Sequence, residues 1–305
     1  MTNNHTSNPI KRDLSREELS GICYALIAFL IWGFTPFYFR LLSDLGAVEI
    51  VSHRVLWCVV FMSLLLTINR EWLSVRDALC HRHTLMALFS SSVLVSINWS
   101  MYVYSVISNQ LIASSLGYFL SPLVSVFLGF IFLRERLSWM QWLAVFLAAC
   151  AVSNQFISYG DVPWIAVTIA FTFGLYGLIR KTVHANSGVG LFIECLLLAP
   201  FCLSYLLWLE WQGIGSFPSE ETKLNLLLIS AGIITGFPLL MYAAGARRIR
   251  LTTIGLFQYF TPSTYLVIAV YFFGESFTLN EWITFGLLWI GLFIYSVEVW
   301  RTRLV

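Results

Sequence analysis

The sequence predicts an all-α integral membrane protein: ten transmembrane helices arranged as two inverted five-helix repeats. Three observations carry this. The chain has 305 residues, of which 58% are hydrophobic and only 11% charged. A soluble domain carries roughly 25% charged residues, so a bilayer is the natural solvent. Ten apolar runs of near 20 residues follow one another, the length needed to cross about 30 Å of hydrocarbon. Barrel strands would instead alternate in polarity over segments of about 10 residues. Finally, the second half repeats the first at a constant offset of 140 residues. Pro122, Glu135 and Trp142 recur as Pro262, Glu275 and Trp282. Met101-Tyr102 recurs as Met241-Tyr242, and Leu116 and Phe132 recur as Leu256 and Phe272. A repeat this long and apolar is not a solenoid unit.

The elements follow in order. Residues 1–17 form a polar tail. The first run, 19–42, follows Lys11, Arg12 and Arg16. It exceeds the roughly 7–15 residues of a signal-peptide core and no small-x-small cleavage site follows, so it reads as a retained first helix. Runs two to five span 48–68, 84–106, 111–133 and 139–157, closing a first repeat over 18–157. Runs six to ten span 162–179, 189–209, 224–245, 252–273 and 280–300, giving a second repeat over 158–301.

Charge placement sets the expected orientation. Fifteen of the eighteen lysines and arginines fall in the N-terminal tail, the even-numbered loops and the C-terminus. Only Arg40 and Lys223 fall on the opposite side, and Arg54 lies within the second run. The positive-inside rule then predicts that both termini are cytoplasmic. Ten crossings agree, whereas nine or eleven would scramble the split. Five crossings per repeat is an odd number, so the second copy enters from the opposite face. Inverted repeats of this kind recur in secondary transporters, with the substrate held near mid-membrane between the repeats.

Arg54 is the basic residue deepest in an apolar run, where insertion costs about 2.5–3.5 kcal/mol at a helix centre. It reads either as a structural group pairing with a carboxylate or capping carbonyls, or as a substrate or gate residue. Glu194 stands 140 residues later, at the equivalent position of the seventh run. It reads as an amine-binding group, a proton-coupling group or the partner of Arg54. His53 and Glu49 share the second run. Breakers recur within several runs: Gly33, Pro36, Gly117, Pro122, Pro238 and Pro262 are candidate gating or helix-break positions, since a proline frees a backbone carbonyl. Asn98, Trp99, Tyr118, Tyr242, Gln258, Tyr259 and Trp32 are candidate cavity residues, offering amides, hydroxyls and aromatic faces. Eight of twelve tryptophans fall near run ends, as an interfacial belt places them. Gly232 and Gly236 form a small-xxx-small pair, a common signal of close helix packing. Glu135 and Glu275 read as helix caps or gate closers. The six cysteines match no metal or haem spacing.

The motifs together carry a resemblance. They are Ser114-Ser115-Leu116-Gly117-Tyr118-Phe119, Pro122-Leu123, Phe132-Leu133-Arg134-Glu135-Arg136 and Met140-Gln141-Trp142-Leu143-Ala144-Val145. With them stand Ile31-Trp32-Gly33, His53-Arg54-Val55, Asn98-Trp99 and Phe257-Gln258-Tyr259. This combination resembles the EamA family of the drug/metabolite transporter superfamily, over essentially the whole chain after residue 18. The resemblance implies a ten-helix transporter of the bacterial inner membrane in which helices one to four and six to nine surround a central cavity, with five and ten peripheral. It implies export of metabolites or amino acids, often without ATP.

The expected function is therefore a secondary transporter of a small amino-acid-like or drug-like metabolite, by alternating access. Expected partners are the lipid bilayer, the small-molecule substrate and protons as coupling ion, with homodimer formation open and no nucleic acid. No catalytic residue, metal or cofactor is expected. Against an intramembrane enzyme, the sequence has no HExxH, no GxSxG and no pair of membrane aspartates. A phosphate-binding GxxxxGK[ST] loop is absent, which argues against an ATP pump on this chain. A membrane sensor or assembly factor would want a soluble domain or long loops, and the longest loop is only about 15 residues.

Overall fold

The structure is a computed structural model that describes residues 16–134, 136–183, 185–246, 248–249 and 257–302. The first repeat contains α1 (Arg16–Arg40), α2 (Ala47–Asn69), a short α3 (Trp72–Cys80), α4 (Arg82–Ile107), α5 (Leu111–Leu133) and α6 (Trp139–Tyr159). The second contains α7 (Trp164–Thr182), α8 (Ser187–Trp211), α9 (Thr222–Ala246), α10 (Phe260–Phe272) and α11 (Leu279–Thr302). Among the described residues, nine helices are long and apolar enough to cross a membrane, and α10 is a shorter apolar helix. Together they make the ten-helix, duplicated architecture.

Local chemistry sets several boundaries. Ser138 accepts from the Gln141 N–H while the Gln141 side chain accepts from the Ser138 N–H, a reciprocal cap that starts α6. Asn186 caps α8 through the Val189 N–H at 2.8 Å. Gly160 ends α6 in the left-handed conformation, with φ of 75°.

Helix pairing follows the repeat. α2 packs on α8 and α6 packs on α11, each pair being equivalent to itself under the 140-residue offset. α1 on α9 and α4 on α7 are equivalent to one another. α6 and α11 pack mainly on each other and border α5, leaving the other eight spans around the molecular centre. The two glycines of α9 meet α2: a Cβ at Gly232 would come 2.7 Å from the Cys58 nitrogen, and one at Gly236 would come 2.6 Å from the Phe61 ring. The small-xxx-small pair thus lets the backbones of α2 and α9 approach closely.

The outer surface is apolar, as lipid permits. Phe146 and Phe201 are largely exposed. Trp72, Trp139, Trp142, Trp164, Trp208, Trp211 and Trp282 are also exposed near helix ends, where amphipathic rings anchor at an interface. The side chain of Trp300 lies outside the described residues.

Two expectations need correction. The loop between the second and third runs contains a helix, α3, which tucks Val75 and Ala78 inward and leaves Leu73 exposed. Nine amphipathic residues are too short to register as a span. The prolines do not interrupt their helices: Pro36, Pro122 and Pro238 sit inside continuous helices of 25, 23 and 25 residues. Pro200 in α8 does the same. Pro262 lies in the first turn of α10, where a missing N–H costs little. The irregular backbone of α10 comes later, as a π-helical segment over Ile268–Phe272.

Candidate functional site

Arg54 sits in the second turn of α2 and is buried. Its Nε donates to Thr235 Oγ1 of α9 at 2.7 Å. The guanidinium carbon lies 4.1 Å from the Trp99 ring centroid on α4 and 5.6 Å from that of Phe39 on α1. Cation–π contact of this kind is worth about 2 kcal/mol or more when desolvated. Its Nη1 is buried and has no hydrogen-bond partner. Among the described residues no carboxylate reaches it within salt-bridge distance. A buried guanidinium without an anion is unusual, because a buried charge normally carries a partner.

Hydroxyls and amides surround it. Tyr102, Tyr118 and Tyr265 lie within electrostatic reach of the guanidinium. Tyr102 and Tyr265 stack at 5.2 Å, and Thr35 Oγ1 bonds the Tyr102 hydroxyl at 2.6 Å. Tyr118 donates to Asn98 Oδ1 at 3.1 Å. The Asn98 amide donates to Thr172 Oγ1 at 3.0 Å and to the Ile169 carbonyl at 3.1 Å, tying α4 to α7. Ser115 donates to the Pro262 carbonyl at 2.7 Å, joining α5 to α10. Both repeats therefore contribute to one buried polar and aromatic cluster.

Glu194 does not pair with Arg54. It is fully buried on α8, accepts from Ser91 at 2.6 Å and from Tyr176 at 3.3 Å, and lies 3.8 Å from Arg180 Nη1. Arg180, in the last turn of α7, passes directly over Gly190, where any Cβ would collide with its guanidinium. In the sequence Arg180 stands among the loop charges, so its role as Glu194's counter-ion is not legible there. A basic residue within one helical turn of a span's end can reach inward to an acid on the next span.

The remaining candidates divide. Trp32 and Tyr242 pack on each other and on Phe29, joining α1 to α9. Gln258 lies exposed in a turn. Tyr259 lies near Ser296 of α11, the peripheral helix. Among the described residues, no hydrogen bond, ion pair or ring contact joins Gln258 or Tyr259 to Arg54. Gly33 lies against Thr264, and Gly117 against Ala166 and Ile169. His53 and Glu49 lie at the α2 start, the ring edge-on to Phe217 and the carboxylate accepting from the Ser216 N–H at 3.1 Å.

On the face opposite the termini, the repeats are joined. Glu275 accepts from the Leu111 N–H at 2.7 Å and the Ile112 N–H at 2.9 Å, capping α5. Arg40 donates to the Val106 carbonyl at 3.4 Å and lies 5.2 Å from the Phe273 ring centroid. Sequence recurrence flagged Glu275, and capping is the role it takes in this structure. Glu135 lies outside the described residues, as do Gly255 and Leu256.

A duplicated bundle of membrane-spanning helices, with a buried polar cluster drawn from both halves, defines a multi-pass membrane protein of the transporter type. The EamA-like transporter family model matches residues 19–153 and again 163–297. The chain belongs to that family, within the drug/metabolite transporter superfamily. It is 38% identical to Protein RarD of Escherichia coli over 95% of this chain and 98% of that protein. It is 40% identical to an uncharacterized transporter of Vibrio cholerae, over 91% of this chain and 92% of that one. It is 38% identical to the uncharacterized transporter YojE of Bacillus subtilis, over 93% and 97%. A solved structure superposes with a TM-score of 0.60 at 15% identity, over 94% of this chain and 99% of that chain, which supports the fold alone. These relatives are bacterial, and a multi-pass helical protein of this kind belongs to the inner membrane.

Proposed function

We propose that this protein is a secondary transporter that moves a small metabolite across the inner membrane by alternating access, acting in export, with both termini cytoplasmic. The observation that supports it best is Arg54: a buried cation with an unused donor, held between the repeats by Thr235, Trp99 and Phe39. Intramembrane ionisable groups mark substrate or ion pathways more often than packing roles. Asn98, Trp99 and Tyr118 line the same cluster. Trp32 and Tyr242 form the α1–α9 wall beside it. The relatives' transporter names agree with a non-enzymatic role.

Glu194 is the coupling group in this reading. Its two hydroxyl donors and its ion pair hold a carboxylate that can exchange a proton when the bundle opens. The test is proteoliposome flux with and without an imposed pH gradient, alongside metabolite comparison of medium and cytoplasm in deletion and overexpression strains. Flux that tracks the gradient supports the reading. If no metabolite shifts and nothing moves in liposomes, transport is refuted.

A further inference from the structure

We infer that the Arg54 site selects small organic monoanions, of the monocarboxylate class, and rejects organic cations and ammonium-bearing substrates. The inference rests on the transporter reading above and names the substrate class of that same site.

Charge accounting carries it. The cluster holds one fixed cation, Arg54, whose Nη1 is buried and unpartnered. A planar guanidinium lying over Trp99, with Nε given to Thr235, still presents Nη1 at its edge to an oxyanion, a geometry for which arginine is suited. The groups around it are hydroxyls and amides: Thr35, Tyr102, Tyr118, Tyr265, Asn98 and Thr235. None supplies a negative charge at neutral pH. The hydroxyls of Thr35, Tyr118 and Thr235 and the Asn98 amide already donate within the protein, which leaves Arg54 Nη1 as the donor open to a ligand.

A carboxylate would be the group to neutralise an ammonium here, and among the described residues the buried ones sit elsewhere. Glu49 accepts from the Ser216 N–H at the start of α2. Glu194 is neutralised by Arg180. Glu298 sits on α11, the peripheral helix. Placing a cation beside Arg54 instead adds like-charge repulsion in a low-dielectric site. One cation also matches one negative charge, so dianions would carry an unbalanced charge into the bundle.

The test uses the purified full-length protein and matched probes: acetate, pyruvate and benzoate against ethylammonium and benzylammonium, with benzamide as the neutral control. Thermal stabilisation gives binding, and counterflow in proteoliposomes gives transport. At least one carboxylate is expected to stabilise the protein and to move, with the amines inert and benzamide at least tenfold weaker than benzoate. In Arg54→Gln, carboxylate binding should fall roughly tenfold to hundredfold, the scale of one charge-assisted hydrogen bond. In Arg54→Lys, the preference for anions should survive with weaker binding. Size-exclusion profiles check that each variant folds. If Arg54→Gln does not fold, the comparison of carboxylates with amines on the unaltered protein still decides.

Movement of the amines without the carboxylates overturns the anion class and leaves the transporter reading standing. Carboxylate binding that is unchanged in a folded Arg54→Gln also overturns it. Failure of every probe of both classes to bind or move refutes the anion class. It refutes transport as well only if no other metabolite is carried.

Discussion

The carboxylate of Glu275 caps the helix that begins at Leu111, in the other repeat. It reaches the Leu111 N–H at 2.7 Å and that of Ile112 at 2.9 Å. Two orphan donors of α5 are satisfied by a residue 164 positions away. The bond therefore ties the end of α10 to the start of α5, and with it one half of the molecule to the other. Glu275→Ala should lower stability by about 1–2 kcal/mol, the cost of losing a helix cap, read as a drop in melting temperature of the detergent-purified protein. A variant that melts with the parent would show that water caps α5 equally well.

The same residue predicts a pH response. Burial pushes the Glu275 carboxyl above its ordinary range, and the two N–H bonds pull less strongly the other way. A raised folded value means that the unfolded chain releases the proton first. Stability from this group is present below the ordinary carboxylate value and is lost as pH rises through the folded value. Melting followed through the weakly acidic range should decline with pH more in the parent than in Glu275→Gln. Parallel curves would contradict it.

Gly232 makes a packing prediction. Gly232→Ala should destabilise by about 1–3 kcal/mol, since the added methyl meets the α2 backbone rather than a movable side chain. Gly286 on α11 faces open space and provides the control. Gly286→Ala should be neutral or stabilising by up to about 1 kcal/mol. Equal melting temperatures for the two variants would show that α2 and α9 separate at little cost.

Glu194 and Arg180 should behave as a coupled pair. Glu194→Ala leaves a guanidinium without its counter-ion, a loss toward the lower end of about 3–5 kcal/mol because the Arg180 side chain remains 15% exposed. Adding Arg180→Leu should recover part of that loss. A double-mutant cycle on melting free energies measures the coupling, and strict additivity would mean that the two side chains act independently.

Much of the architecture is legible in the residues, and the reasons are physical. A span must be long and apolar, so the runs locate the helices to within a few residues, save that the first residues of the ninth run, 252–256, lie outside the described residues. Arg54 is legible for the same reason, as a lone charge in apolar surroundings. Its partners are not, because Thr235 is 181 positions away and Trp99 looks like any packing aromatic. The 140-residue offset also misleads at one place. Tyr118 joins the buried cluster, whereas its counterpart Gln258 lies exposed in a turn. Equivalence in a repeat preserves backbone position, while side chains diverge freely between copies. α3 is hidden because its nine residues contain Arg76, are flanked by Arg70 and Arg82, and resemble a charged loop.

Arg54 and Glu194 occupy one position in the two copies and carry opposite charges with different partners. A carrier made of two identical inverted halves would have isoenergetic end states, since exchanging the halves turns one state into the other. Its dwell times on the two sides would match, whatever the substrate. Opposite charges at the shared position remove that degeneracy. A difference of about 1.4 kcal/mol already sets a tenfold resting bias toward one side. On the alternating-access proposal, sequence divergence between the copies would therefore set which side of the membrane the empty molecule faces at rest.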